Sequence, residues 1–183
     1  MAAHSSTLPA LRTDGVRIEL VDPRNAASYE AGLAELLIDC VDGGSSVGFL
    51  AGLTHHAAVD WWHKQLQNPN ILTWVAVNSE GQILGTVGLA LAPQANGRHR
   101  AEVCKLLVHR NGRGHGYASA LMSALEEEAR KRCRTVLVLD TVTGSTAEHI
   151  YLRWGWQRVG VIEDFAALPD GRLWATTVFT KKL

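Results

Sequence analysis

Residues 103–118 read VCKLLVHRNGRGHGYA, an apolar extended run that breaks into a basic glycine turn and then into a helix. The run 101–108 favours a strand. Apolar Tyr117, Ala118, Leu121, Met122, Leu125 and Ala129 recur at helical spacing, which places a helix over 114–131. Gly112, Gly114 and Gly116 admit unusual backbone angles and let a ligand approach the main chain. Unpaired N–H groups at the helix start then lie beside Arg110, Arg113 and His115. That combination suits a phosphate-bearing ligand. Glycine turns also serve as plain strand–helix connections. The flanking cations and the long amphipathic helix carry the functional reading.

Lysine and arginine together number 18, as do aspartate and glutamate, so the formal net charge is +0. Bulk attraction to nucleic acid or to a membrane surface is not expected. The cations at 110–115 are a local feature suited to a small anionic ligand. No apolar run approaches the length of a membrane span. Residues 1–14 lack the apolar core of a secretion signal and are expected to form a loose tail ahead of one domain over 15–183. Cys40, Cys104 and Cys133 have no metal-ligand spacing, and they point to a reduced, cytoplasmic protein. The sequence leaves the oligomeric state open, a homodimer being one outcome.

Taken in order, 16–21 alternates as a strand, and Asp22–Pro23 opens a helix whose apolar face is Leu33, Leu36, Leu37, Cys40 and Val41. The loop GGSSVGF (43–49) is either a plain connection or the wall of a substrate pocket. A helix over 55–67 holds His55, His56, Trp61, Trp62 and His63. Its adjacent histidines point apart, a poor metal pair, so no metal is expected. Strands 71–77 and 82–91 form a hairpin, strand 101–108 and the helix follow, and 134–140 is a buried strand. Ser145 and Glu148 form a capping box for a helix over 145–153, and strands 156–162 and 172–180 close the chain. The order is β α α β β β α β α β β, an α/β chain with a mixed sheet rather than a regularly alternating parallel one.

This order, with RGHGYA at its centre, resembles the Gcn5-related N-acetyltransferase superfamily. Residues 111–116 follow the family's pattern of Gln or Arg, two residues, Gly, one residue, then Gly or Ala, except that Asn111 stands in first place rather than Gln or Arg. Residues 147–156 (AEHIYLRWGW) resemble the family's tyrosine-bearing helix, with Tyr151 at the matching position. A further resemblance, over about residues 20–181, is to acetyltransferases that inactivate an amino-acid-like β-lactam toxin by acetylating its amine.

The resemblance implies a six- to seven-stranded, mostly antiparallel sheet flanked by four helices. It implies acetyl-CoA as co-substrate and a small-molecule amine as acceptor. The pyrophosphate falls to the backbone of Arg113, Gly114, His115, Gly116, Tyr117 and Ala118, and the pantetheine arm to the strand edge at Leu106, Leu107 and Val108, splayed from the next strand. Glu102, in an otherwise apolar strand, and Asp140, ending another, are the candidates to take the amine's proton. Tyr151 is the candidate to protonate the departing thiolate. Cys104 would allow a covalent acetyl-cysteine route, but no paired histidine is evident to activate it. A nicotinamide fingerprint fails at its third glycine, which is Ser119. A non-catalytic acetyl-CoA sensor, or an enzyme for another small amine, an amino acid or a protein lysine, are the alternatives.

Overall fold

The computed structural model describes residues 15–183, so the tail expected over 1–14 lies outside the described residues. In chain order the elements are β1 (Arg17–Leu20), α1 (Ala27–Asp42), α2 (His55–Leu66), β2 (Ile71–Val77), β3 (Ile83–Leu91), β4 (Arg100–Val108), α3 (Tyr117–Lys131), β5 (Val136–Val142), α4 (Thr146–Arg153), β6 (Gln157–Ala167) and β7 (Leu173–Lys182). Among the described residues the strands form one seven-stranded sheet, ordered β1-β2-β3-β4-β5-β7-β6. Every pairing is antiparallel except that of β4 with β5. This is the mixed sheet with four helices that the sequence predicts.

Strand alternation divides the core between the two sheet faces. On β2, Trp74 and Ala76 join Leu121, Leu125, Leu137 and Phe179 beneath α3 and α4. Val75 and Val77 join Leu33, Leu37 and Trp62 beneath α1 and α2. The central strand β4 serves both cores through a bulge. Thr86 pairs with Leu107 and Gly88 with Cys104, so β4 carries one residue more than β3 between these pairs. Lys105 takes the left-handed conformation there, with φ 50°. Before the bulge, Ala101 and Val103 face the α3 core; after it, Leu107 faces the α1 core.

The closing strands run further than the sequence reading, β6 to Ala167 rather than 162 and β7 to Lys182 rather than 180, and three other boundaries differ for a local reason. Helix α3 begins at Tyr117 rather than 114, because Gly114 and Gly116 sit at φ 81° and 83°, outside helical space. The Asp22 carboxylate accepts the Arg24 N–H at 2.9 Å and caps a short 3₁₀ turn over Pro23–Asn25, so α1 starts only at Ala27. Strand β5 runs from 136 to 142 rather than 134 to 140. The Arg134 N–H turns back to the Ala129 carbonyl at 2.8 Å and closes α3 instead of opening a strand. At its other end β5 continues through Thr141 and Val142, paired with Thr177 and Thr176, so Asp140 lies inside the strand, opposite Val178, and not at its end.

Candidate active site

The glycine turn builds an anion cradle from backbone alone. Helix α3 is capped by left-handed Gly116 with no side-chain hydrogen bond, which leaves its first N–H groups for a ligand. A Cβ placed on Gly114 meets nothing within 4 Å, so the space above the turn is open. Gly112 is the opposite case: buried, its Cβ would stand 3.2 Å from the Tyr117 ring. That ring faces the core, leaving Tyr117 to serve the cradle only through its backbone. Arg113 and His115 are exposed around the turn, with His115 stacked 5.6 Å from Tyr117. Arg110, read from the sequence as another cation for the ligand, is committed elsewhere. Its Nε donates to Asp39 Oδ1 at 2.7 Å and its backbone N–H to Asp39 Oδ2 at 3.0 Å, tying the end of β4 to α1.

Next to this cradle the sheet opens. Pairing between β4 and β5 is confined to Arg100, Ala101 and Glu102 against Val136, Leu137 and Val138. Among the described residues, β4 has no partner on that side from Val103 onward, so the backbone of Leu106, Leu107 and Val108 faces an open seam. A peptide-like arm can add to such an edge.

The two carboxylates flank the seam on one face. Glu102 is exposed and registers with Val138; with Gln94 and Arg100 it lines a cleft of about 300 Å³. Asp140 stands two residues beyond Val138, on the same face of β5 by alternation. The Thr176 hydroxyl lies 2.7 Å from Asp140 Oδ2 and 2.9 Å from the Thr141 carbonyl, and it has one proton to give to either. Tyr151 lies on the opposite face. It is buried on α4 against Trp154, Trp156 and Phe179. Burial, and after it the charge of Asp140, pushes its phenol well above the usual value. It therefore stays protonated through the neutral range.

Cys104 registers with Gly88, where an added Cβ would stand 2.8 Å from its sulfur. Burial, reinforced by Glu102 and opposed by Lys105, pushes its thiol up to about 11. Very little thiolate exists at neutral pH. Ser145 caps α4 as the sequence predicts, accepting the Glu148 N–H at 3.3 Å. Glu148 completes the box one residue early, accepting from the Gly144 N–H at 2.6 Å, and it also accepts from the Thr177 hydroxyl.

The loop joining α1 to α2 is bound to the far end of the sheet. The Ser46 hydroxyl donates to the Ala167 carbonyl at 3.1 Å and the Ala51 N–H to the Pro169 carbonyl at 2.9 Å. Phe49 packs edge-on against Trp61 at 5.4 Å. Sequence reasoning passed over two residues in this region. Thr176 carries no local signal, being one of two adjacent threonines in β7. Lys105 did carry one, a lone cation inside the run EVCKLLV.

A family model described as "Acetyltransferase (GNAT) family" matches residues 35–156, which include both candidate carboxylates, the glycine turn and Tyr151. The chain belongs to the GNAT acetyltransferase family. A curated relative, N-acetyltransferase 8B of Rattus norvegicus, is 37% identical over 89 residues, covering 48% of this chain and 40% of the relative. The chain thus matches about two fifths of the length of that relative. A Gcn5-related N-acetyltransferase from Kribbella flavida superposes with TM-score 0.75 at 19% identity, over 93% of this chain and 99% of the other. An acetyltransferase from Salmonella typhimurium, solved with its cofactor acetyl-CoA, gives TM-score 0.71 at 18% identity, over 92% and 94% of the two chains. At those identities the likeness to solved GNAT structures is one of fold.

Proposed function

We propose that this GNAT chain transfers acetyl from acetyl-CoA to the primary amine of a small molecule by direct attack in a ternary complex. The observation that carries the reading is the parted β4–β5 seam beside an uncapped α3 N-terminus. The backbone of Arg113 to Ala118 would bind the pyrophosphate, with Arg113 as the charged partner that Asp39 leaves free. The edge of Leu106–Val108 would pair with the pantetheine arm. Acetyl-CoA supplies the activated thioester.

An alkyl amine has a pKa of about 10 and must lose a proton before it attacks. Asp140 or Glu102 takes that proton, directly or through water. As the N–C bond forms, the C–S bond breaks and the thiolate leaves towards the Tyr151 face. Tyr151 acts on it by donating a hydrogen bond. Its raised pKa makes complete proton transfer to a thiolate uphill.

The segments GLAELLIDCVDGGSSVGF, LDTVTGS and LPDGRLWATTVF resemble those of the tabtoxin resistance protein. On that resemblance the acceptor is an amino-acid-like β-lactam toxin or antibiotic, which acetylation inactivates. The free thiols of Cys40, Cys104 and Cys133 suit the cytoplasm as the place of action. Thiol release from acetyl-CoA, measured with tabtoxinine-β-lactam and a panel of small amines against a blank without acceptor, tests the reading. Release with the toxin supports transfer and acceptor together. Release with another amine alone keeps the transfer and discards the toxin.

The covalent route makes a separate prediction. Cys104→Ala is expected to retain kcat within about threefold, since a thiol raised to about 11 is a poor nucleophile at neutral pH. Loss of turnover in a variant that still gains thermal stability from acetyl-CoA would replace direct attack with an acetyl-cysteine.

A further inference from the structure

Lys105 is held at the bulge of β4, in a left-handed conformation, on the same sheet face as Glu102 and Cys104. Its ammonium stands 5.3 Å from the centre of the Trp61 ring. It also lies 3.6 Å from where a Cβ on Gly48 would stand, directly under the loop that joins α1 to α2. That loop is fastened across the site by Ser46 and Ala51 to the turn between β6 and β7. The side chain is only partly exposed, and among the described residues it has no ion-pair partner.

A partly desolvated cation without a counter-charge is costly unless something compensates it. The face of Trp61 compensates in part. Glu102, three residues earlier, is near enough that it and Lys105 both act on the Cys104 thiol, yet the two do not pair. This sheet face therefore carries a cation that has no ion-pair partner among the described residues, together with the Glu102 and Asp140 carboxylates. That charge pattern complements a zwitterion, with an anionic group towards Lys105 and an ammonium towards Glu102 and Asp140. A polycationic acceptor would meet Lys105 as a like charge.

We propose that Lys105 binds the carboxylate of an amino-acid-like acceptor and so fixes which end of the acceptor faces the seam. This rests on the acetyl-transfer reading and adds the acceptor's second charge to it. The ring of Trp61 and the backbone of Gly48 stand beside the ammonium and hold it on this face.

The test uses a panel of α-amino acids, each paired with its own carboxamide, as acceptors for thiol release from acetyl-CoA. The native protein is expected to favour the free acid. In Lys105→Gln the KM for the acid is expected to rise about ten- to a hundredfold and the preference for acid over amide to collapse. Lys105→Arg restores much of that preference, which a merely structural lysine would not require. The KM for acetyl-CoA and the melting-temperature gain it produces show that the fold and the thioester cleft are intact in each variant. An acid preference that survives Lys105→Gln overturns the assignment. Turnover confined to amines without a carboxylate overturns it too, while leaving acetyl transfer standing. No turnover with any acceptor removes both readings.

Discussion

Asp140→Asn is expected to lower kcat by about a hundredfold or more at neutral pH, with little change in the KM for acetyl-CoA, as befits a lost base. The carboxylate lies on the same face as Glu102, beside the seam, with the Thr176 hydroxyl 2.7 Å away. The sign of the pH dependence follows from the acceptor. A primary amine with a pKa of about 10 is almost wholly protonated at neutral pH, and its free fraction rises about tenfold per pH unit. The need for a base is therefore greatest at low pH, and the defect narrows as pH rises. Glu102→Gln, measured alongside, assigns the role: the variant with the larger loss and the steeper profile has lost the base. The profile is read from initial rates of thiol release. Rates within about threefold of native at every pH, for both variants, would make the two carboxylates structural. Both carboxylates stand on one face beside the seam, so the double variant need not lose the product of the two single effects.

Gly114→Val and Gly116→Val are expected to raise the KM for acetyl-CoA about tenfold or more, and to abolish most of the stabilisation it confers. Both residues hold φ near 80°, where a residue with a Cβ is strained by about 1–2 kcal/mol, so both variants lose some stability without ligand. Gly114 gives the sharper experiment. A Cβ there meets nothing in the free protein, so loss of binding beyond the strain reports a ligand that occupies that space. Chemical denaturation without ligand measures the strain, and the acetyl-CoA dependence of initial rate measures the approach. A Gly114→Val protein with native KM would remove the cradle from the site.

The element order and the glycine turn were legible because both depend on local chemistry. Periodicity marks α3, and glycines mark the turn. Local rules then erred by a few residues wherever a backbone group had two competing uses. The Arg134 N–H closes α3 rather than starting β5, and at the other end pairing of Thr141 and Val142 with β7 puts Asp140 inside the strand. Arg110 looked like a ligand for phosphate because its partner, Asp39, is distant in sequence. The bulge at Lys105 was invisible for a different reason. Its φ of 50° falls on a residue with a side chain, where sequence offers no glycine to announce it. The ties of Ser46 to Ala167 and of Ala51 to Pro169 likewise join segments that no periodicity relates.

The extra residue of β4 also bears on how this chain tolerates change in length. It works as a phase shift: Val103 belongs to one core and Leu107, an even number of residues later, to the other. Strict alternation through all of these residues, with no bulge, would turn Leu107 towards α3 and swing Leu106 and Val108 towards α1 and α2. Each core would lose residues shaped for it. One further residue inserted into this apolar run would shift the residues after it in the same way, and both layers of the molecule would read it at once. Added length belongs in the loops, because the faces taken by Val103 and Leu107 are set by two cores together.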